Sequence, residues 1–155
     1  MKKLTILFVA VALLGLTGGL MAANNHIVNI TVNAINQISV TGTVDLVIGT
    51  ATAGSEPEVD TDNSAILAWT TNGSGKTIGV SANTDPALDG VTLSVTKDAW
   101  SSGSGNPAFN TVVLTNVSQT LVPTAQKMTY NGTLLYTADV PASVEDGTPL
   151  QFTVT

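Results

Sequence analysis

The chain of 155 residues has no cysteine and no arginine, a single histidine (His26), and only 5% aromatic residues. Each absence removes a class of chemistry. Without Cys there are no disulfides, no thiol nucleophile and no Cys-based zinc site. Without Arg there is no bidentate guanidinium clamp on phosphate. His26 has no Ser or Asp at a spacing that would build a triad around it. Charged residues make up 10% of the chain, and the positive ones are Lys2, Lys3, Lys76, Lys97 and Lys127 alone. Binding a phosphate backbone requires clustered cations that displace counterions, and scattered Lys do not supply them. The chain therefore reads as non-catalytic, with no nucleic-acid partner.

What is present begins at the N-terminus. Lys2 and Lys3 precede an apolar run over 4–14, broken only by Thr5 and followed by small residues up to Ala22 and Ala23. That order reads as a secretory signal peptide over 1–23, cleaved after Ala22 or Ala23. Spanning a bilayer takes roughly 20 apolar residues, so no membrane insertion is expected after signal removal. The mature chain keeps three Lys against eleven acidic residues, a net charge of −8. It is expected to be secreted, in the extracellular space or at the cell surface, and kept off anionic lipid by its own charge.

With 43% hydrophobic residues, the chain has enough apolar material for one ordinary core. Its 24 Thr and 14 Gly, with many Val and Ile, are the composition of strands and tight turns. No segment carries a 3.6-residue apolar period; alternation at period two recurs over 65–71, 76–83, 91–96 and 150–154, and on either side of Asn131-Gly132, at Met128 and Tyr130 before it and over 134–140 after it. Asn131-Gly132 has the chemistry of a type I′ hairpin turn, and 101–107 that of a loop. These signals predict an all-β fold, a single antiparallel β-sandwich of about seven to nine strands over 36–155.

The longest alternation runs over 28–48. Val28, Ile30, Val32, Ala34, Ile38, Val40, Val44, Leu46 and Ile48 fall on one side, interrupted by Asn36 and Gly42. At about 3.3 Å per residue this stretch would reach roughly 70 Å, longer than a sandwich strand. Either it bends near Asn36 or Gly42 and crosses between sheets, or its first part, 24–35, is an extension that packs into a neighbouring molecule. A signal peptide, an alternating N-terminal segment (Val28, Ile30, Val32) and a Thr-rich β domain ending on Leu150, Phe152 and Val154 resemble secreted filament subunits. These are Ig-like sandwich proteins that polymerise by donor-strand complementation, as pilins and biofilm-matrix fibre proteins do. The chain departs from chaperone–usher pilins in lacking their Cys pair and the Tyr near their C-terminus. The resemblance implies a homopolymer, an extracellular filament serving adhesion, in which Val28, Ile30, Val32 and Ala34 form the donor strand.

Two other features have ligand chemistry. Glu56, Glu58, Asp60 and Asp62 place carboxylates at alternate positions, and calcium is the ion such oxygens would take; the alternative is a solvated acidic loop. Trp100, before the Ser- and Gly-rich stretch 101–107, has the form of a stacking platform for a glycan, or else packs over the end of the sandwich. A secreted monomeric carbohydrate-binding or adhesin-like module is thus the alternative function.

Overall fold

Every second residue of an extended chain lies on the same face, and the segments that alternate most cleanly are strands in the structure. The computed structural model describes residues 27–144 and 150–155; the chain divides after Val32, and the fold is that of the unit Asn33–Thr155. The predicted signal segment 1–23 and His26 lie outside the described residues.

The described strands are β1 (Asn36–Thr41), β2 (Asp60–Asp62), β3 (Ile66–Thr71), β4 (Lys76–Val80), β5 (Thr92–Gly103), β6 (Val112–Val113), β7 (Gln119–Ala125) and β8 (Met128–Asp139). A single 3-10 turn, Pro86–Asp89, interrupts them; the Asp85 carboxylate accepts the Ala87 N–H and Gly90 closes the turn in the left-handed region. All strand pairs are antiparallel, so the fold is all-β. The larger sheet runs β1-β3-β8-β5-β6, with β2 also paired to β8. The second sheet pairs β4 with β7. Beyond β4, Ser81 and Thr155 exchange N–H···O bonds of 3.0 and 2.9 Å, and Asn83 N–H donates to Thr153 O at 2.8 Å, so the alternating C-terminal residues lengthen this sheet.

Both sheets feed one core. Leu67 and Trp69 from β3, Leu93 and Val95 from β5, and Tyr130, Leu134, Tyr136 and Ala138 from β8 cluster with Val80, Leu121, Val122 and Ala125 of the second sheet. The apolar residues of the alternating segments supply most of it, and Val112, Leu114, Leu121, Val122 and Ala125 the rest.

Two expectations change, and one is met. Asn131-Gly132 is not a hairpin turn but lies within β8, opposite Ser102 and Trp100 of β5. Residues 101–103 belong to β5 rather than to a loop. In the alternating stretch 28–48 the bend expected near Asn36 or Gly42 falls at Gly42, where β1 ends after 36–41. Gly42 has φ +100°, and a Cβ there would run into the Ser64 carbonyl oxygen, so both the conformation and the space require glycine. After the bend, Val44, Leu46 and Ile48 are half-buried against the core.

Candidate assembly site

Asn33, Ala34 and Ile35 lead into β1, and Asn72 holds them there. The Ile35 N–H donates to the Asn72 side-chain oxygen at 2.8 Å, the Asn72 side-chain amide donates to the Asn33 carbonyl at 2.7 Å, and the Asn72 N–H donates to the Ile35 carbonyl at 3.2 Å. One residue on, the Thr71 hydroxyl donates to the Asn36 side chain at 2.8 Å. An Asn at the end of β3 thus extends the ladder by two residues with its side chain. The candidate donor residues upstream lie outside any described strand. Val28, Ile30 and Val32 are 66%, 81% and 73% exposed, and Ala34 is exposed as well.

β1 combines an outer and an inner face unusually. Ile38 lies opposite Trp69 and Val40 opposite Leu67; directly opposed residues of an antiparallel pair share a face. Trp69 and Leu67 are 5% and 2% exposed, whereas Ile38 and Val40, on the same core-facing side, are 59% and 58% exposed. The second sheet has two strands against the five-strand path of the first, and nothing described covers the inner face of β1. Because the Ile35 N–H and C=O both turn toward Asn72, ladder alternation turns those of Asn36, Ile38 and Val40 away from β3. No described strand pairs with that edge.

Beside this strip lies the aromatic part of the core. Trp69 and Tyr130 stack with ring centroids 4.2 Å apart at 18°, and Phe109 tilts onto them at 6.1 and 5.4 Å. The Lys97 ammonium sits 5.6 Å from the Phe109 centroid while donating to the Asn106 side chain at 3.1 Å. The Trp69 indole N–H and the Tyr130 hydroxyl are buried with no hydrogen-bond partner among the described residues. Burial pushes the Tyr130 hydroxyl above its ordinary pKa of 10.0.

The four acidic residues whose spacing suggested calcium or a solvated loop are not gathered about one point. In an extended chain, carboxylates two residues apart stand about 6.6 Å apart, too far to converge on one ion without a loop to gather them. Each is engaged separately. Asp60 accepts the Val47 N–H at 2.6 Å, Asp62 accepts the Asp45 N–H at 3.1 Å, Glu58 accepts the Thr50 hydroxyl at 3.1 Å, and Glu56 accepts the Ala142 N–H at 2.6 Å. No group of three or more acidic or His side chains able to hold a metal is found among the described residues. Asp60 and Asp62 instead act as side-chain rungs that fasten the half-buried segment 44–48 alongside β2.

Asp62 also accepts the Ser64 hydroxyl and, at 2.6 Å, the Ser64 N–H. These bonds, the Ser64 hydroxyl first, then the Ser64 and Asp45 N–H groups, hold its carboxyl below the usual 3.8. A depressed folded-state pKa contributes stability above the unfolded value and loses it as pH falls through the folded one. Wild-type protein should therefore lose melting temperature below about pH 3.8 more steeply than Asp62→Asn. Parallel pH profiles of the two would refute this role.

Trp100 is half-exposed on β5, opposite Gly132 and between two register shifts. Its neighbour Asp98 binds the Asn63 side-chain amide at 3.0 Å and the Thr133 hydroxyl at 2.8 Å. Residues that sequence reading did not single out are Ile38 and Val40. The signal available for them was charge: from Ile27 to Val44 there is no charged residue. Comparison of the chain with protein-family models, with curated proteins and with solved structures finds no match.

Proposed function

We propose that the chain is an exported, non-catalytic structural subunit, a β-sandwich that polymerises into an extracellular filament by giving its N-terminal strand to a neighbouring copy. The observation that carries this reading is the exposure of Val28, Ile30 and Val32, all on one side of an alternating segment that enters no described strand. Large aliphatic side chains left in water at regular spacing are a binding face awaiting its partner. Burying each is worth about 1.5–3 kcal/mol, so three supply roughly 5–9 kcal/mol before ordering costs. Strand addition also satisfies backbone groups, and a one-residue slip would bring Asn29, Thr31 and Asn33 to the apolar side, so the joint has a register. Two sheets sharing one core support the sandwich scaffold, and a chain with no Cys has no cross-links to stabilise it, which assembly would offset.

Ile30→Asp should place an unpaired carboxylate in the joint and abolish polymers while melting at the temperature of unassembled wild-type subunit. Sedimentation and negative-stain microscopy read the first outcome, circular dichroism the second. Polymers at the wild-type level in this variant, or in one lacking 24–34, would overturn the reading.

A further inference from the structure

We infer that the acceptor for the N-terminal strand is β1 of a second copy, along the edge and the uncovered inner face formed by Ile38 and Val40. The assignment rests on the assembly reading above and adds where the donor goes. Natural proteins guard exposed sheet edges with charge, Pro, bulges or short strands. The opposite edge of the larger sheet is guarded by brevity, since β6 has two residues. β1 carries no such guard: six residues, Asn36–Thr41, without charge or Pro, in an unbroken register with β3. Its free edge presents the N–H and C=O groups of Asn36, Ile38 and Val40, and its inner face presents two aliphatic side chains that the second sheet does not reach.

The occupant follows from the same residues. The length fits, because the five residues 28–32 upstream of Asn33 extend about 16 Å and the six of β1 about 20 Å. The pattern matches, because Val28, Ile30 and Val32 alternate at the period of Ile38 and Val40, so an added strand would continue the apolar strip. Charge favours a second copy over another partner. The chain is acidic overall, at −6, yet its donor segment and β1 are both free of charge, so the two meet without the repulsion that other faces of two copies would suffer. Asn72 binds the Asn33 carbonyl and both backbone groups of Ile35 at 2.7–3.2 Å, so the chain enters β1 already extended.

Val40→Lys tests the acceptor directly, since a 58% exposed side chain tolerates Lys in the subunit but not beneath an added apolar strand. Association should weaken by about 100-fold or more, from the burial of an unpaired charge, with the melting curve retained. Because the chain has no Cys, engineered thiols give a second readout that does not depend on that variant folding. Ile30→Cys chains are mixed with tagged Val40→Cys chains and oxidised. A mixed disulfide is expected with Val40→Cys and not with Ser39→Cys, whose side chain is on the opposite face of β1. Wild-type polymer levels in Val40→Lys, or equal cross-linking to positions 39 and 40, would overturn the acceptor assignment. If removal of 24–34 abolishes polymers while Val40→Lys does not, the donor reading stands and β1 is not its acceptor. If neither change affects polymers, both fail.

Discussion

Trp69→Ala should lower the stability of the domain by about 3–5 kcal/mol, the largest loss expected from a single side-chain truncation in this core. Trp69 is buried in β3 with its ring stacked on Tyr130 at 4.2 Å and flanked by Phe109 at 6.1 Å. Removing it deletes the largest ring of that cluster and leaves a void that Tyr130 on β8 and Phe109 between β5 and β6 cannot close. Its indole N–H lacks a partner among the described residues, which subtracts something from its worth, but the ring contacts outweigh that loss. Thermal and urea unfolding measure the effect. Tyr130→Phe is the control: it keeps the ring and removes a buried hydroxyl without a partner, so stability should hold or rise by about 1 kcal/mol. A loss on Tyr130→Phe similar to that on Trp69→Ala would mean that polar contacts, not ring packing, hold the cluster.

The strands that the sequence made legible are those whose burial is decided locally by alternation. Leu67, Trp69 and Thr71 are buried while Ile66 and Thr70 are exposed, and β8 repeats the pattern through Tyr130, Leu134, Tyr136 and Ala138. For such segments one buried face is enough to set strand and register. The same rule reads Ile38 and Val40 as core residues, and they are on the core side. Their exposure depends on how far the second sheet extends over the first, a property of the pairing of β4 and β7 that no feature of 36–41 encodes.

What the acidic run binds in the structure was hidden for a related reason. Spacing places Glu56, Glu58, Asp60 and Asp62 at alternate positions but says nothing of what faces them. The structure sets 44–48 beside β2, where its backbone N–H groups at Asp45 and Val47 need acceptors, and the carboxylates provide them. Most side-chain hydrogen bonds run to backbone or water, and the segment that makes the claim here lies 13 to 17 residues away. Candidate chemistry read from one stretch of sequence therefore changes once its neighbour in space is known.

Gly132→Ala should be nearly as damaging as the loss of a core ring, although it adds one methyl group to a strand. Asn131-Gly132 carries the chemistry of a hairpin turn, but in β8 the glycine has a different purpose. β5 shifts register between Lys97 and Trp100 and again between Trp100 and Ser102, opposite this residue. The bulged strand leans over position 132, so a Cβ there would run into both the Ala99 carbonyl oxygen and the Tyr130 hydroxyl. Neither can yield cheaply, since one is backbone in the central strand pair and the other belongs to the stacked aromatic cluster. Overpacking a tight site costs about 1–3 kcal/mol, and displacing the ring adds part of its packing, for a total of roughly 2–4 kcal/mol. For a domain of this size that is a fall in melting temperature of about 5–15 °C. Combining Gly132→Ala with Tyr130→Phe locates the strain. Removing the hydroxyl should recover part of the loss, with the remainder due to the Ala99 carbonyl, and strictly additive effects would show that the hydroxyl is not the obstacle.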